Sequence, residues 1–149
     1  MTKKILLKFY FHKNMNKERL LKLAKFLRTV PEIFFDLDSF AGNESFPYQE
    51  GKDIVDCGTT ACALGWATTI PEFAAAGLRL ESMDHISYEA RLLYNGKRNF
   101  YAGALFMDIS IDECHYLFDP IRYDIDYNIK PRINPNLVAD RIEDFVATF

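Results

Sequence analysis

The chain has 149 residues, of which 49% are hydrophobic and 15% aromatic, which is enough apolar material for one compact core. No apolar run approaches the roughly 18 to 20 residues that a membrane-spanning helix needs. Three cysteines, an odd number, fit a reducing compartment better than a disulfide scaffold, although a bridge between Cys57 and Cys62 stays open. We therefore expect one cytoplasmic domain over residues 1–149, in the host cytoplasm if a phage encodes it.

The net charge of −3 is distributed unevenly. Residues 1–28 contain nine Lys and Arg but only one acidic residue, Glu18, so the other 121 residues carry a net charge of −11. Residues 1–28 thus form a basic arm. This arm could bind nucleic acid, anionic lipid or an acidic protein, or it could pack on the acidic remainder of its own chain. We favour the second interpretation, because the arm lacks the aromatic and basic alternation that stacks bases. A nucleic-acid or membrane partner is therefore not expected.

The first elements follow from hydrophobic spacing. Alternation over residues 3–12 predicts a strand. Asn16 is a suitable N-cap for a helix whose apolar residues recur at helical spacing until Pro31. Residues 31–56 predict an irregular segment, because prolines and glycines interrupt scattered aromatic residues.

The next stretch, DCGTTACALGWATTIPEF (residues 56–73), concentrates two cysteines, two glycines and the only tryptophan. Thr59 or Thr60 predicts an N-cap for a helix over 61–67, and Pro71 predicts a second short helix that Gly77 ends. Cys62 and Trp66 share one helix face, so we expect both to be buried. The small residue Gly65 predicts a close approach of another backbone.

The remaining pattern completes an α+β fold. Residues 78–83 are compatible with an extended segment, 88–94 with a strand or a helix, and 100–107 with a helix. A capping box at 110–113 and the Asn134-Pro135 pair predict two further helices. Alternation over 121–130 predicts a strand beside residues 3–12, with opposite charges on the two polar edges. We thus expect a predominantly helical single domain with a small sheet of these two strands.

Four stretches in this order resemble an uncharacterised family of small bacterial and phage proteins. They are ERLLKLAKFL, FFDLDSF, CGTTACALGWATTIPEFAAAGLRL and ALFMDISIDECHYLFDP. The family motif is Cys-Gly-Thr-x-x-Cys-x-x-Gly followed by Trp or His, matched here by Cys57, Gly58, Thr59, Cys62, Gly65 and Trp66. The similarity covers about residues 16–118 and the closing helix at 135–148. It implies no reaction, and segments 3–12 and 121–130 depart from the family.

Cysteine chemistry is the enzymatic interpretation of this motif. A helix N-terminus stabilises a nearby thiolate, so Cys57 or Cys62 could act as a nucleophile with His115 as the base. The alternative is that both thiols are packed as small apolar residues, which we favour because no histidine lies at a characteristic spacing.

Metal binding is not expected from the spacing of the ligand-type residues. Cys57, Cys62, Cys114 and His115 are all zinc-ligand types, but the gap of four residues between the first two and the adjacent Cys-His pair are awkward for one ion. A calcium loop after Asp124 is excluded, because Ile129 replaces the required glycine.

An anion site is the remaining possibility at the motif. Backbone amides at a helix start can hold a phosphate or carboxylate. The candidate ligand-binding residues are Gly58, Thr59, Thr60 and Trp66. The interpretation that we favour is a non-enzymatic binding or interaction protein without a cofactor. It would be a phage or bacterial accessory factor, for example one that modulates host defence, and would bind a small anionic ligand or a protein partner. The alternative is a small cysteine-dependent enzyme that uses Cys57 or Cys62.

Overall fold

A computed structural model describes residues 15–42, 60–82, 90–123 and 133–148. These residues form six α-helices and three strands. In chain order they are α1 (Lys17–Leu27), α2 (Ala63–Ala67), α3 (Pro71–Ala75), β1 (Arg79–Ser82), β2 (Ala90–Tyr94), β3 (Lys97–Arg98), α4 (Asn99–Met107), α5 (Ile111–Phe118) and α6 (Pro135–Thr148). Single 3-10 turns lie at Glu32–Phe34 and Pro120–Arg122. The predicted α+β fold, dominated by helices, is confirmed.

Helix α1 begins and packs as its sequence predicts. Asn16 Oδ1 accepts a hydrogen bond from Arg19 N at 2.9 Å. The buried face of α1 contacts α6, and it consists of Leu20, Leu23, Ala24 and Leu27. At the exposed edge of this helix pair, Arg28 bonds to both Asp140 and Glu143 on α6. Packing of the two apolar faces therefore holds the first and last helices together.

The sheet of the described residues is antiparallel, in the order β1-β2-β3. Arg79 is opposite Leu93 and Ser82 is opposite Ala90. Asn95 and Gly96 join β2 to β3, with φ angles of 47° and 81°. Asparagine and glycine accept such positive values, and they are the residues that tight hairpin turns favour. The extended and strand alternatives for residues 78–83 and 88–94 correspond to β1 and β2.

The predicted strand over 121–130 does not begin at residue 121. Residues Pro120–Arg122 instead form a 3-10 turn, capped by Asp119, whose Oδ1 accepts from Ile121 N at 3.1 Å. Tyr123 then donates its hydroxyl to the Leu117 carbonyl at 2.5 Å, so the chain folds back onto α5. Local side-chain bonds thus override the alternating pattern here. Segments 3–12 and 124–130 lie outside the described residues, so their pairing stays a prediction.

One hydrophobic cluster includes residues from all six helices and from β2. Four fully buried phenylalanines contribute to it: Phe35, Phe106, Phe118 and Phe145. In the part of the chain that the structure describes, no helix has both the length and the apolar composition to cross a bilayer.

Candidate functional site

Backbone hydrogen bonds fasten the loop at residues 34–42 to the start of the Cys-Gly-Thr-motif helix. Ala61 forms a parallel bridge with Phe35. On the same stretch, Cys62 N donates to Ser39 O at 2.7 Å, and Gly42 N donates to Thr60 O at 3.0 Å. These bonds hold residues 60–62 beside the loop before the helix begins.

Helix α2 consequently starts later than its threonines predict. Its N-cap is Cys62, with φ −78° and ψ 177°, and the helix itself is Ala63–Ala67. The prediction of Thr60 as the N-cap was therefore wrong, because residues 60 and 61 bond to the loop instead. Thr59 lies outside the described residues.

The packing predicted around Gly65 is confirmed. An ideal Cβ built on Gly65 would lie 1.7 Å from the carbonyl oxygen of Phe40, a distance at which no side chain fits. Cys62 and Trp66 are both buried, each with 4% of its surface exposed. Trp66 lies against Phe26 of α1, with ring centroids 6.4 Å apart. Its indole Nε1 donates to Phe34 O at 2.9 Å. The Trp66 ring therefore packs against α1, and its N–H holds the loop.

The two described thiols are free and lie in the core. Burial raises the pKa of Cys62 from 9.0 to about 12, although the amides of Gly65 and Leu64 act in the opposite direction. Burial also raises the pKa of Cys114. Because the thiolate is the nucleophilic form, neither thiol is activated at neutral pH.

His115 is bonded to a carboxylate. Its Nδ1 lies 2.8 Å from Asp119 Oδ2, one helical turn further along the chain. The imidazole ring of His115 also packs against the ring of Phe100, with centroids 4.4 Å apart. The bond to Asp119 fixes the orientation of the imidazole, and it holds Asp119 at the end of α5.

A cavity of about 200 Å³ lies where the loop meets the ends of α2, α4 and α5. Its aromatic wall consists of Phe40 and Phe100, whose rings meet edge to face with centroids 5.4 Å apart. Its polar wall includes Asp38, Ser39 and Asp119. Cys62, Leu37 and Pro120 complete the lining. We call this space the Asp38–Asp119 cavity.

The electrostatics of the Asp38–Asp119 cavity are those of a negatively charged site. Partial burial raises the pKa of Asp38, and the negative charges of Asp36 and Asp119 raise it further. Of the described residues that line this cavity, none is a lysine or an arginine. A carboxylate in such surroundings is stabilised by a positive charge.

The structure brings only some of the sequence-predicted site residues to this cavity. Cys62 lines it, and His115 is bonded to a residue of its wall, whereas Trp66 is packed in the core. Three of the others, Cys57, Gly58 and Thr59, lie outside the described residues. Within the described ranges, no group of three or more His, Cys, Asp or Glu side chains could hold a metal ion.

Sequence reasoning missed the acidic and aromatic residues of the cavity. Two signals pointed to them: the FFDLDSF stretch, which places Asp38 and Phe40 together, and the spacing of four residues from His115 to Asp119. That spacing places the two side chains on one face of a helix.

A second, more polar cavity of about 280 Å³ lies beside the start of α1. The charges that line it are largely engaged with each other and with the core. Lys22 Nζ lies 2.6 Å from both carboxylate oxygens of Glu72. The Arg19 guanidinium lies 4.0 Å from the centre of the Phe106 ring and donates to Phe106 O at 2.7 Å. This cavity is therefore the weaker candidate.

No protein-family model matches the chain, and no curated protein or solved structure gives a significant match to it. The resemblance to small bacterial and phage proteins stays a prediction that rests on the quoted motifs.

Proposed function

We propose that this protein is a non-enzymatic binding protein and that the Asp38–Asp119 cavity is its ligand site. The observation that carries the proposal is the composition of the cavity. Two carboxylates and two phenylalanine rings from different parts of the chain border a space large enough for a small chemical group. Binding sites commonly combine an apolar wall with a few convergent polar groups in this way.

The state of the described cysteines favours binding over catalysis. Cys62 lines the cavity, but its raised pKa keeps it protonated at neutral pH. His115 Nδ1 is bonded to Asp119, which orients the ring without activating a thiol. An enzyme that used Cys62 would need the opposite, a lowered thiol pKa.

The proposal keeps both partner classes of the sequence interpretation, a small molecule or a protein, and its role as a phage or bacterial accessory factor. The anion site predicted at Gly58, Thr59, Thr60 and Trp66 stays a separate prediction, because Gly58 and Thr59 lie outside the described residues. The Asp38–Asp119 cavity itself repels anions, because both of its ionisable lining carboxylates are negatively charged.

Fragment screening by NMR tests this proposal. Wild-type protein is exposed to a library of cationic, neutral and anionic fragments, and amide shifts are mapped on assigned spectra. We expect some fragments to shift the signals of residues 38–40, Phe100 and Asp119 together. A variant in which the cavity is narrowed, Ser39→Leu, should lose these shifts if it keeps the wild-type fold by circular dichroism.

Two results would contradict the proposal. One is a screen in which no fragment perturbs the cavity residues. The other is rapid alkylation of Cys62 by iodoacetamide at neutral pH, which would mean an accessible and ionised thiol and would favour the enzyme alternative.

A further inference from the structure

The two charged side chains among the described residues that line the Asp38–Asp119 cavity are both carboxylates. Asp38 and Asp119 are the ionisable carboxylates of its lining, and their mutual repulsion, together with Asp36, acts on Asp38. Among the described residues, the Asp38 carboxylate forms no salt bridge. Asp38 is exposed to solvent, whereas only 16% of the Asp119 side chain is exposed, so a positive group held beside both carboxylates gains from two negative charges.

The hydrogen-bonding capacity of the cavity is mainly that of an acceptor. Asp119 uses one lone pair of each oxygen, toward His115 and toward Ile121 N. Ser39, which is only 8% exposed, donates its hydroxyl to the Gly42 carbonyl at 3.0 Å, so its oxygen can still accept. Carboxylate and hydroxyl oxygens in this state match a ligand that carries several N–H donors.

The aromatic wall of the cavity also favours a positively charged ligand. Phe40 and Phe100 are half-buried and border the same space as the carboxylates, and the Phe100 ring also packs against His115. An organic cation gains from an aromatic face as well as from a carboxylate, whereas a hydrated inorganic ion gains mainly from the oxygens. The combination therefore favours an organic cation over a metal ion.

The size of the cavity limits the ligand. The cavity volume of about 200 Å³ is the volume that roughly six or seven water molecules occupy in liquid water. This accommodates a guanidinium or ammonium head group with part of an alkyl stem, and it is below the size of typical sites for drug-sized ligands.

We propose that the Asp38–Asp119 cavity binds the head group of an alkylguanidinium or alkylammonium ligand, held between the carboxylates and the rings of Phe40 and Phe100. This inference rests on the proposed function and names its ligand class. The head group can belong to a free small molecule or to an arginine or lysine side chain of a peptide, and both present the same chemistry.

Calorimetry with a matched pair of probes tests the ligand class. Butylguanidinium is the cationic probe, and butylurea is its neutral counterpart of nearly the same shape. We expect the dissociation constant of butylurea to be at least about tenfold higher, because the charge-assisted hydrogen bonds to Asp38 are lost. Equal binding of the two probes would overturn the proposal.

Two charge-removing variants supply the control. Asp38→Asn should weaken butylguanidinium binding by about tenfold while leaving butylurea unchanged. Asp108→Asn removes one negative charge at the other end of α4, at a left-handed position that asparagine also accepts, and it should change binding less than about twofold. An equal effect of both variants would show a general attraction to the acidic protein and would contradict a site at Asp38.

A second calorimetric experiment, with peptides, distinguishes the two sources of the head group. Acetyl-Gly-Arg-Gly-amide is compared with the same peptide containing citrulline, the neutral urea analogue of arginine. The arginine peptide should bind at least about tenfold tighter than the citrulline peptide, and equal binding of the two would contradict the cationic class. Tighter binding of the arginine peptide than of butylguanidinium then indicates a peptide ligand, and weaker binding indicates a free small molecule.

The outcome also separates this inference from the proposed function. If neutral or anionic fragments shift the cavity residues while butylguanidinium does not bind, the protein is a binding protein and the ligand class is wrong. If no fragment or probe perturbs the cavity, both proposals fail.

Discussion

Replacing Gly65 by alanine tests the closest contact in the structure. The new Cβ would lie 1.7 Å from Phe40 O, 2.9 Å from Phe40 C and 3.0 Å from the Ala61 side chain. An ordinary contact needs about 3.5 Å, so the Phe40 carbonyl or helix α2 has to move by about 1.5 Å or more. Neither can move freely, because Ser39 O and Thr60 O bond across the same boundary.

The expected cost combines three effects. Overpacking against a rigid neighbour costs about 1 to 3 kcal/mol. Weakening one of the hydrogen bonds between the loop and residues 60–62 costs about 1 kcal/mol more. Alanine regains about 1 kcal/mol, because it favours a helix more than glycine does. We therefore expect Gly65→Ala to lower the free energy of unfolding by about 1 to 3 kcal/mol, and the melting temperature by roughly 2 to 12 °C.

Urea unfolding monitored by tryptophan fluorescence measures this change directly, because Trp66 is the only tryptophan and is buried. Gly103→Ala in α4 is the matched control. Its Cβ would meet the tip of the Leu64 side chain at 2.8 Å and Cys114 Sγ at 3.2 Å, and both are side-chain ends that can adjust. We expect its cost to stay below about 1 kcal/mol. If Gly65→Ala were as stable as the wild type, or no worse than Gly103→Ala, the close backbone approach at Gly65 would be refuted.

Three further predictions use urea unfolding, which is followed by circular dichroism for Trp66→Phe because that variant has no tryptophan. Ser110→Ala removes the acceptor of Glu113 N and half of a capping box, and should cost about 1 kcal/mol; an unchanged midpoint would contradict the capping role. Trp66→Phe keeps a ring but leaves Phe34 O without its indole donor, at a cost of about 1 to 2 kcal/mol; a smaller loss than for Ser110→Ala would argue against that bond. Because folding raises the pKa of Cys62 from 9.0 to about 12, the unfolded state loses its proton first, so stability is complete below pH 9 and falls toward pH 12. Titrations from about pH 7 to 10.5 should show little change below about pH 8 and a slope for this thiol that approaches about −1.4 kcal/mol per pH unit above pH 9, and Cys62→Ala should have a shallower slope there than the wild type.

The features that the sequence predicted correctly are those that short-range chemistry decides. Asn16 caps α1, and Ser110 and Glu113 form the capping box of α5. Asn134 Oδ1 accepts from Leu137 N at 2.8 Å at the start of α6. In each case the donor and acceptor lie three residues apart, so their meeting depends on local geometry alone.

The features that the sequence did not predict depend on partners distant in the chain. Thr60 has the chemistry of an N-cap, but its carbonyl accepts from Gly42 N, and the helix starts after Cys62. The pattern over residues 88–94 fitted a strand or a helix, and pairing with β1 and β3 makes Ala90–Tyr94 the strand β2. The residues of the Asp38–Asp119 cavity come from positions up to 83 apart, from Leu37 to Pro120, and only the folded arrangement places them together. Tertiary contacts override local propensity in all three cases.

The sequence motif and the cavity are connected through Phe40. The missing side chain of Gly65 lets the Phe40 carbonyl approach helix α2, and the Phe40 ring borders the cavity from that position. On the opposite wall, the bond from His115 to Asp119 holds the second carboxylate. A motif that concentrates small residues, cysteine and tryptophan can therefore support a binding site without supplying its reactive groups. Cys62 and Trp66 hold the loop in place, and the carboxylates and phenylalanines of distant segments provide the chemistry of the proposed site.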